Sequence, residues 1–143
     1  MPKTRETLEV GDSGTFTKTI TEADVLAFAD ASGDFNPLHV DDEYARRSAF
    51  GQRVAHGILT AALISAVLGG ELPGVGTILV SIHVRFLRPV FIGDVVTAEA
   101  TVMQIINPKR VRILVACRNQ DGRDVAIGNA VVIPPAQTRL IGE

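Results

Sequence analysis

The sequence predicts an α+β fold in which one antiparallel sheet wraps around a single central helix. Two observations predict it. Residues 57–69 are apolar nearly all round, so a helix there belongs inside something. From residue 77 to residue 133 the chain then runs through about four consecutive strand-like segments separated only by turn residues. A helix with no polar face and a run of hairpin-connected strands satisfy each other as two packed layers.

The bulk numbers agree with one such core. A length of 143 residues fits a single domain, here spanning 1–143, and a hydrophobic fraction of 46% excludes a disordered chain. The net charge is −2 and no basic run exceeds two residues, so the footprint of a nucleic-acid binder is missing. The single cysteine, Cys117, excludes an internal disulfide framework and fits a reducing compartment; its apolar neighbours suit a buried filler better than a nucleophile. The N-terminus lacks an apolar core of signal-peptide length, and the longest apolar stretch falls short of the ~20 residues that a membrane span needs. A cytoplasmic protein with no membrane partner is therefore expected.

Residues 15–20 alternate and read as a strand. "TEAD" then offers a capping box, with Thr21 accepting from the Asp24 backbone and the Asp24 carboxylate reaching back. Val25, Leu26, Phe28 and Ala29 supply the apolar stripe of a short helix, which Gly33 ends. "SGDFNPLHVDD" (32–42) reads as a loop, because the residue before Pro37 is pushed away from helical angles. Residues 41–50 form a short amphipathic helix with acids first and arginines last. After the central helix, Gly69 and Gly70 close the segment. In 77–88, Ile78, Val80, Ile82, Val84 and Phe86 share one face of a strand. Strands follow over 95–106, 110–119 and 124–133, with a "DG" hairpin turn at 121–122. A twisted sheet wrapped around one long helix is the hot-dog arrangement. One such sheet leaves an open edge, so pairing with a second copy is expected.

The loop at 32–42 places Asp34, Asn36 and His39 around Pro37. Acid–base chemistry needs two titratable groups close enough to share one water, and a proline-fixed turn can fold Asp34 and His39 toward each other. Histidine titrates near neutrality, so it can take a proton and return it. Asn36 can orient a water or brace the turn through local backbone. The competing reading is a polar turn with no chemistry. At Gly57 the first N–H groups of the central helix lack internal partners and lie at the positive end of its dipole, where a carbonyl oxygen would be polarised. Alternatively, Gly57 only permits close packing. Ser65, two turns on, shares a face with Gly57; it either meets a substrate or bonds the preceding turn.

"FADASGDFNPLHVD" followed by "VAHGIL" resembles the MaoC-like group of hot-dog proteins, and within it most of all the R-specific enoyl-CoA hydratases, also called hydratase 2. The likeness covers nearly the whole chain, through "LEVGD", "LGGELPGVGT" and "RFLRPVFIGDVVTAE", with Ala31 as a small departure that touches packing. The resemblance implies that Asp34 and His39 hold a water between them and add it across a trans-2-enoyl thioester. It implies that the Gly57 N–H polarises the thioester carbonyl, that Asn36 supports the loop or the water, and that Ser65 lies beside the substrate. It leaves open which of Asp34 and His39 is base and which acid.

His56 reads as a residue that serves the backbone, and His83 as solvent-facing or at an interface. No histidine pair has zinc-ligand spacing, and a calcium loop starting at Asp34 fails because His39 stands at its sixth position and Ala45 at its twelfth. No metal or cofactor is expected. Arg85 and Arg88 read as a solvated strand edge, with a coenzyme A phosphate as the alternative partner. The expected activity is reversible hydration of 2-enoyl-CoA to (R)-3-hydroxyacyl-CoA by a homodimer or higher oligomer. The alternatives are the same chemistry on acyl carrier protein thioesters, and a non-catalytic acyl-thioester binder.

Overall fold

The computed structural model describes residues 3–136; the predicted domain also includes residues 1–2 and 137–143, which lie outside the described residues. The elements are β1 (Ser13–Thr19), α1 (Glu22–Ser32), α2 (Pro37–Val40), α3 (Asp42–Arg46), α4 (Gly57–Gly70), β2 (Ile78–Phe86), β3 (Val95–Asn107), β4 (Arg110–Arg118) and β5 (Asp124–Ile133). The five strands form one antiparallel sheet in the order β1-β3-β4-β5-β2, with α4 against its concave face. This is the predicted hot-dog architecture.

The sheet can curve onto the helix because its cross-strand rows mix branched with small residues. One row runs Ala100, Val115, Gly128, Val84 across four strands, and another runs Val102, Ile113, Ala130, Ile82. At Gly128 any Cβ would collide with the His83 backbone carbonyl, so the chain needs glycine where β2 crosses β5. Cys117 sits among these rows, fully buried, and burial pushes its thiol up to about 11. It is packing, as its neighbours in sequence suggested.

Two features depart from the sequence reading. The face of β2 changes hands at a bulge between Leu79 and Ser81, so Leu79 rather than Val80 aligns with Ile82, Val84 and Phe86. One inserted residue is enough, because side chains alternate with period two. The helix α4 is covered on one side only: Thr60, Leu63, Ile64, Val67 and Leu68 are buried, while Ile58, Ala62, Ser65 and Gly69 form an exposed stripe. Among the described residues no helix is long and apolar enough to cross a membrane.

Candidate active site

Four caps in succession shape the loop. Thr21 and Asp24 make the expected capping box at the start of α1, and Gly33 ends that helix in the left-handed region at φ 80°. Asp34 then begins a tight turn, its backbone N–H donating to Ser32 Oγ (3.1 Å) and its Oδ1 accepting from the Asn36 N–H (3.1 Å). The Asn36 side chain accepts from the Leu38 N–H (3.1 Å) and so starts a single helical turn, α2, with Pro37 in the first position. Asp41 caps α3 in the same way, through the Tyr44 N–H. The segment predicted as a plain loop therefore contains one turn of helix. Asn36 braces that turn, one of the two roles its position suggested.

His39 lies on α2 and is 9% exposed. Its Nδ1 donates to the Val54 carbonyl (2.7 Å), and a carbonyl only accepts, so Nδ1 carries a proton and Nε2 is the nitrogen left to exchange one. The backbone around it is equally fixed. The His39 N–H donates to the Asn36 carbonyl (2.9 Å), and the His39 carbonyl accepts from Arg53 Nε (2.7 Å). Arg53 is itself buried and reaches Glu22 on α1 (2.6 Å), joining the start of α1 to α2.

His56 precedes α4 and is 2% exposed. It does serve the backbone, donating from Nε2 to the Asp34 carbonyl (2.9 Å). Sequence reasoning missed its other contact. Its ring stacks on His39 with centroids 4.0 Å apart and also packs against Phe28 at 4.7 Å. The "AHG" spelling that opens α4 was the only available signal. Through this stack Asp34, His39 and His56 bring one donor atom each to within 4.8 Å of one another, a gathering that linear spacing could not show. The set suits a metal poorly. Ring planes 29° apart and stacked at 4.0 Å do not aim two lone pairs at one ion ~2 Å from each nitrogen.

His39 borders a cavity of about 370 Å³ that opens between α2, the start of α4 and residues 86–90. Gly57 lines it, with the Phe86 ring so close that a Cβ on Gly57 would lie 3.2 Å from it. Both readings of Gly57 thus meet at one position: it admits a close neighbour, and no side chain caps the helix start beside the cavity. Arg88 also lines the cavity, its guanidinium held by the Asp124 carbonyl (2.6 Å). Arg85 lies apart, beside His83, in a separate depression on β2, and His83 is exposed as expected. Ser65 is not brought to the cavity; it faces outward on the exposed stripe of α4.

Residues 9–121 match the family described as MaoC like domain. The chain is 44% identical to the 3-hydroxybutyryl-CoA dehydratase of Methylorubrum extorquens, over 91% of this chain and 83% of that one. It is 42% identical to the (R)-specific enoyl-CoA hydratase of Rhodospirillum rubrum, over 92% of each. Among solved structures it is similar to the unliganded R-hydratase PhaJ1 of Pseudomonas aeruginosa, with a TM-score of 0.91 and 39% identity over 99% of this chain and 94% of that one. The strand order, the Asp34–His39 loop against the start of α4 and these likenesses agree: the chain belongs to the MaoC-like family.

Proposed function

We propose that the protein is an R-specific enoyl-CoA hydratase, a hydro-lyase that interconverts trans-2-enoyl-CoA and (R)-3-hydroxyacyl-CoA, with Asp34 and His39 as its catalytic residues. The observation that carries the mechanism is the bond of His39 Nδ1 to the Val54 carbonyl, on a ring that lines the cavity and has a nitrogen within 4.8 Å of an Asp34 carboxylate oxygen. The identities to a hydratase and a dehydratase of that name support the substrate class.

A water held between the Asp34 carboxylate and His39 Nε2 attacks the β-carbon of the enoyl thioester. His39 Nε2 takes one proton from that water, and the hydroxyl forms the new C–O bond. Negative charge moves through the former double bond to the thioester oxygen, where the Gly57 N–H and the positive end of α4 stabilise it. The proton on Nε2 then passes to the α-carbon on the same face, which returns His39 to its starting tautomer. Asp34 stays ionised, orienting the water and stabilising the transient imidazolium. Arg88, held at the cavity by the Asp124 carbonyl, would meet a coenzyme A phosphate there.

The protein works as a homodimer of single domains in the cytoplasm. The edge strand β2 leaves Ile78, Leu79, Val80 and Ile82 exposed, and Ile58 on the adjacent α4 stripe is 63% exposed, an apolar surface that a second copy would cover.

Adding crotonyl-CoA to the purified protein tests this reading through the loss of enoyl-thioester absorbance and the chirality of the product. Rapid formation of (R)-3-hydroxybutyryl-CoA is expected. Activity confined to crotonyl acyl carrier protein would move the substrate class, and binding without turnover of either would refute the enzyme.

A further inference from the structure

Within this reading, the two catalytic residues are not held alike, and His56 is the reason. His39 is tied at its ring, its N–H and its carbonyl. Asp34 is exposed, and two of its three hydrogen bonds reach no further than two residues along its own turn, to Ser32 and Asn36. The third comes from a different element: the 2.9 Å bond from His56 Nε2 to the Asp34 carbonyl. His56 is well placed to supply it. Its ring contacts both Phe28 and His39, and its neighbour Ala55 bonds the Val90 carbonyl through its N–H (2.7 Å). Three residues of the 53–56 stretch thus brace both ends of the loop, Arg53 and Val54 at His39 and His56 at Asp34.

We propose that His56 is a positioning residue for the hydration reaction: its hydrogen bond to the Asp34 carbonyl, rather than its stacking on His39, sets the Asp34 carboxylate against His39 Nε2. The ring itself points to function over stability. With Nε2 donating to Asp34, Nδ1 is left as a buried nitrogen with no partner among the described residues. Packing alone would be served by a phenyl ring without that unpaired atom.

Three replacements separate the two contacts. Phenylalanine keeps a stacking ring and loses the donor. Glutamine places an amide N–H near the position of Nε2 and loses the ring, whereas the amide of asparagine is too short to reach the Asp34 carbonyl. Steady-state kinetics on crotonyl-CoA, beside thermal unfolding of each variant, provide the readout. We expect His56→Phe and His56→Asn to lower kcat by roughly 30–100-fold with KM within about twofold, as for a catalytic group misplaced by about an ångström. His56→Gln is expected to stay within about fivefold of the parent. Should His56→Phe fail to unfold cooperatively, the Gln–Asn pair decides alone. Glutamine no better than asparagine, a fully active phenylalanine variant, or an effect confined to KM would each overturn the proposal. If His56→Phe is fully active while Asp34→Asn is inactive, only the role of His56 fails. If Asp34→Asn is as active as the parent, the acid–base reading fails and the role of His56 with it.

Discussion

Asp34 and His39 stand five residues apart in one loop, yet the fold treats them as opposites. His39 is buried, its tautomer set by the Val54 carbonyl and its backbone clamped by Arg53. Asp34 lies exposed at the end of α1, in a turn made of its own neighbours, with one bond to the element behind it. A group that must take and return a proton profits from a fixed lone pair. A carboxylate that orients a water and balances a transient charge can stay solvated until substrate closes the site. The asymmetry suits the proposed division, with His39 as the proton carrier and Asp34 as its electrostatic partner.

The largest effect that can break this division comes from His39→Gln, which removes the proton carrier and should lower kcat by roughly 10²–10⁴-fold. Steady-state rates on crotonyl-CoA measure it, and Asp34→Asn should lose less because the proton carrier survives. Next is Arg53→Met, which leaves the His39 carbonyl without its buried donor. It should cost about 1–3 kcal/mol in denaturant unfolding and reduce kcat together with stability. On the Asp34 side, Thr21→Ala removes the cap of α1 and should cost about 1 kcal/mol by the same measurement, with a smaller loss of kcat.

The smallest effect is in acid. The Thr21 backbone N–H, bonded to the Asp24 carboxylate, holds its pKa below the ordinary 3.8. A depressed carboxyl contributes stability that is present above its unfolded value and lost as pH falls through its folded one. Asp24→Asn should therefore lower the melting temperature slightly at neutral pH and flatten its decline below about pH 4.

What the sequence shows of this arrangement is local. The Thr21–Asp24 box, the Gly33 stop and the strands over 95–106, 110–119 and 124–133 are each written within a few neighbouring residues, and each forms within a residue or two of the predicted bounds. In sequence Asn36 and Pro37 look like helix breakers, although the same pair is a cap followed by the residue best suited to open a helix. The β2 bulge escapes a period-two pattern because Val80 is as apolar as its neighbours. Likewise, the apolar composition of α4 reveals that its faces need cover without revealing which face one protomer provides. The site follows the same rule. Asp34 and His39 are legible because one turn joins them, whereas the stack of His56 on His39 links residues from separate elements.

The central claim is that one histidine and one aspartate, unequally held, hydrate an enoyl thioester. The most direct test compares parent, His39→Gln and Asp34→Asn in the hydration of crotonyl-CoA, with product chirality resolved. The account predicts (R)-3-hydroxybutyryl-CoA from the parent, a severe loss with Asp34→Asn and a deeper one with His39→Gln. Equal rates in all three proteins, or a variant order reversed so that Asp34→Asn is the deeper loss, would contradict it.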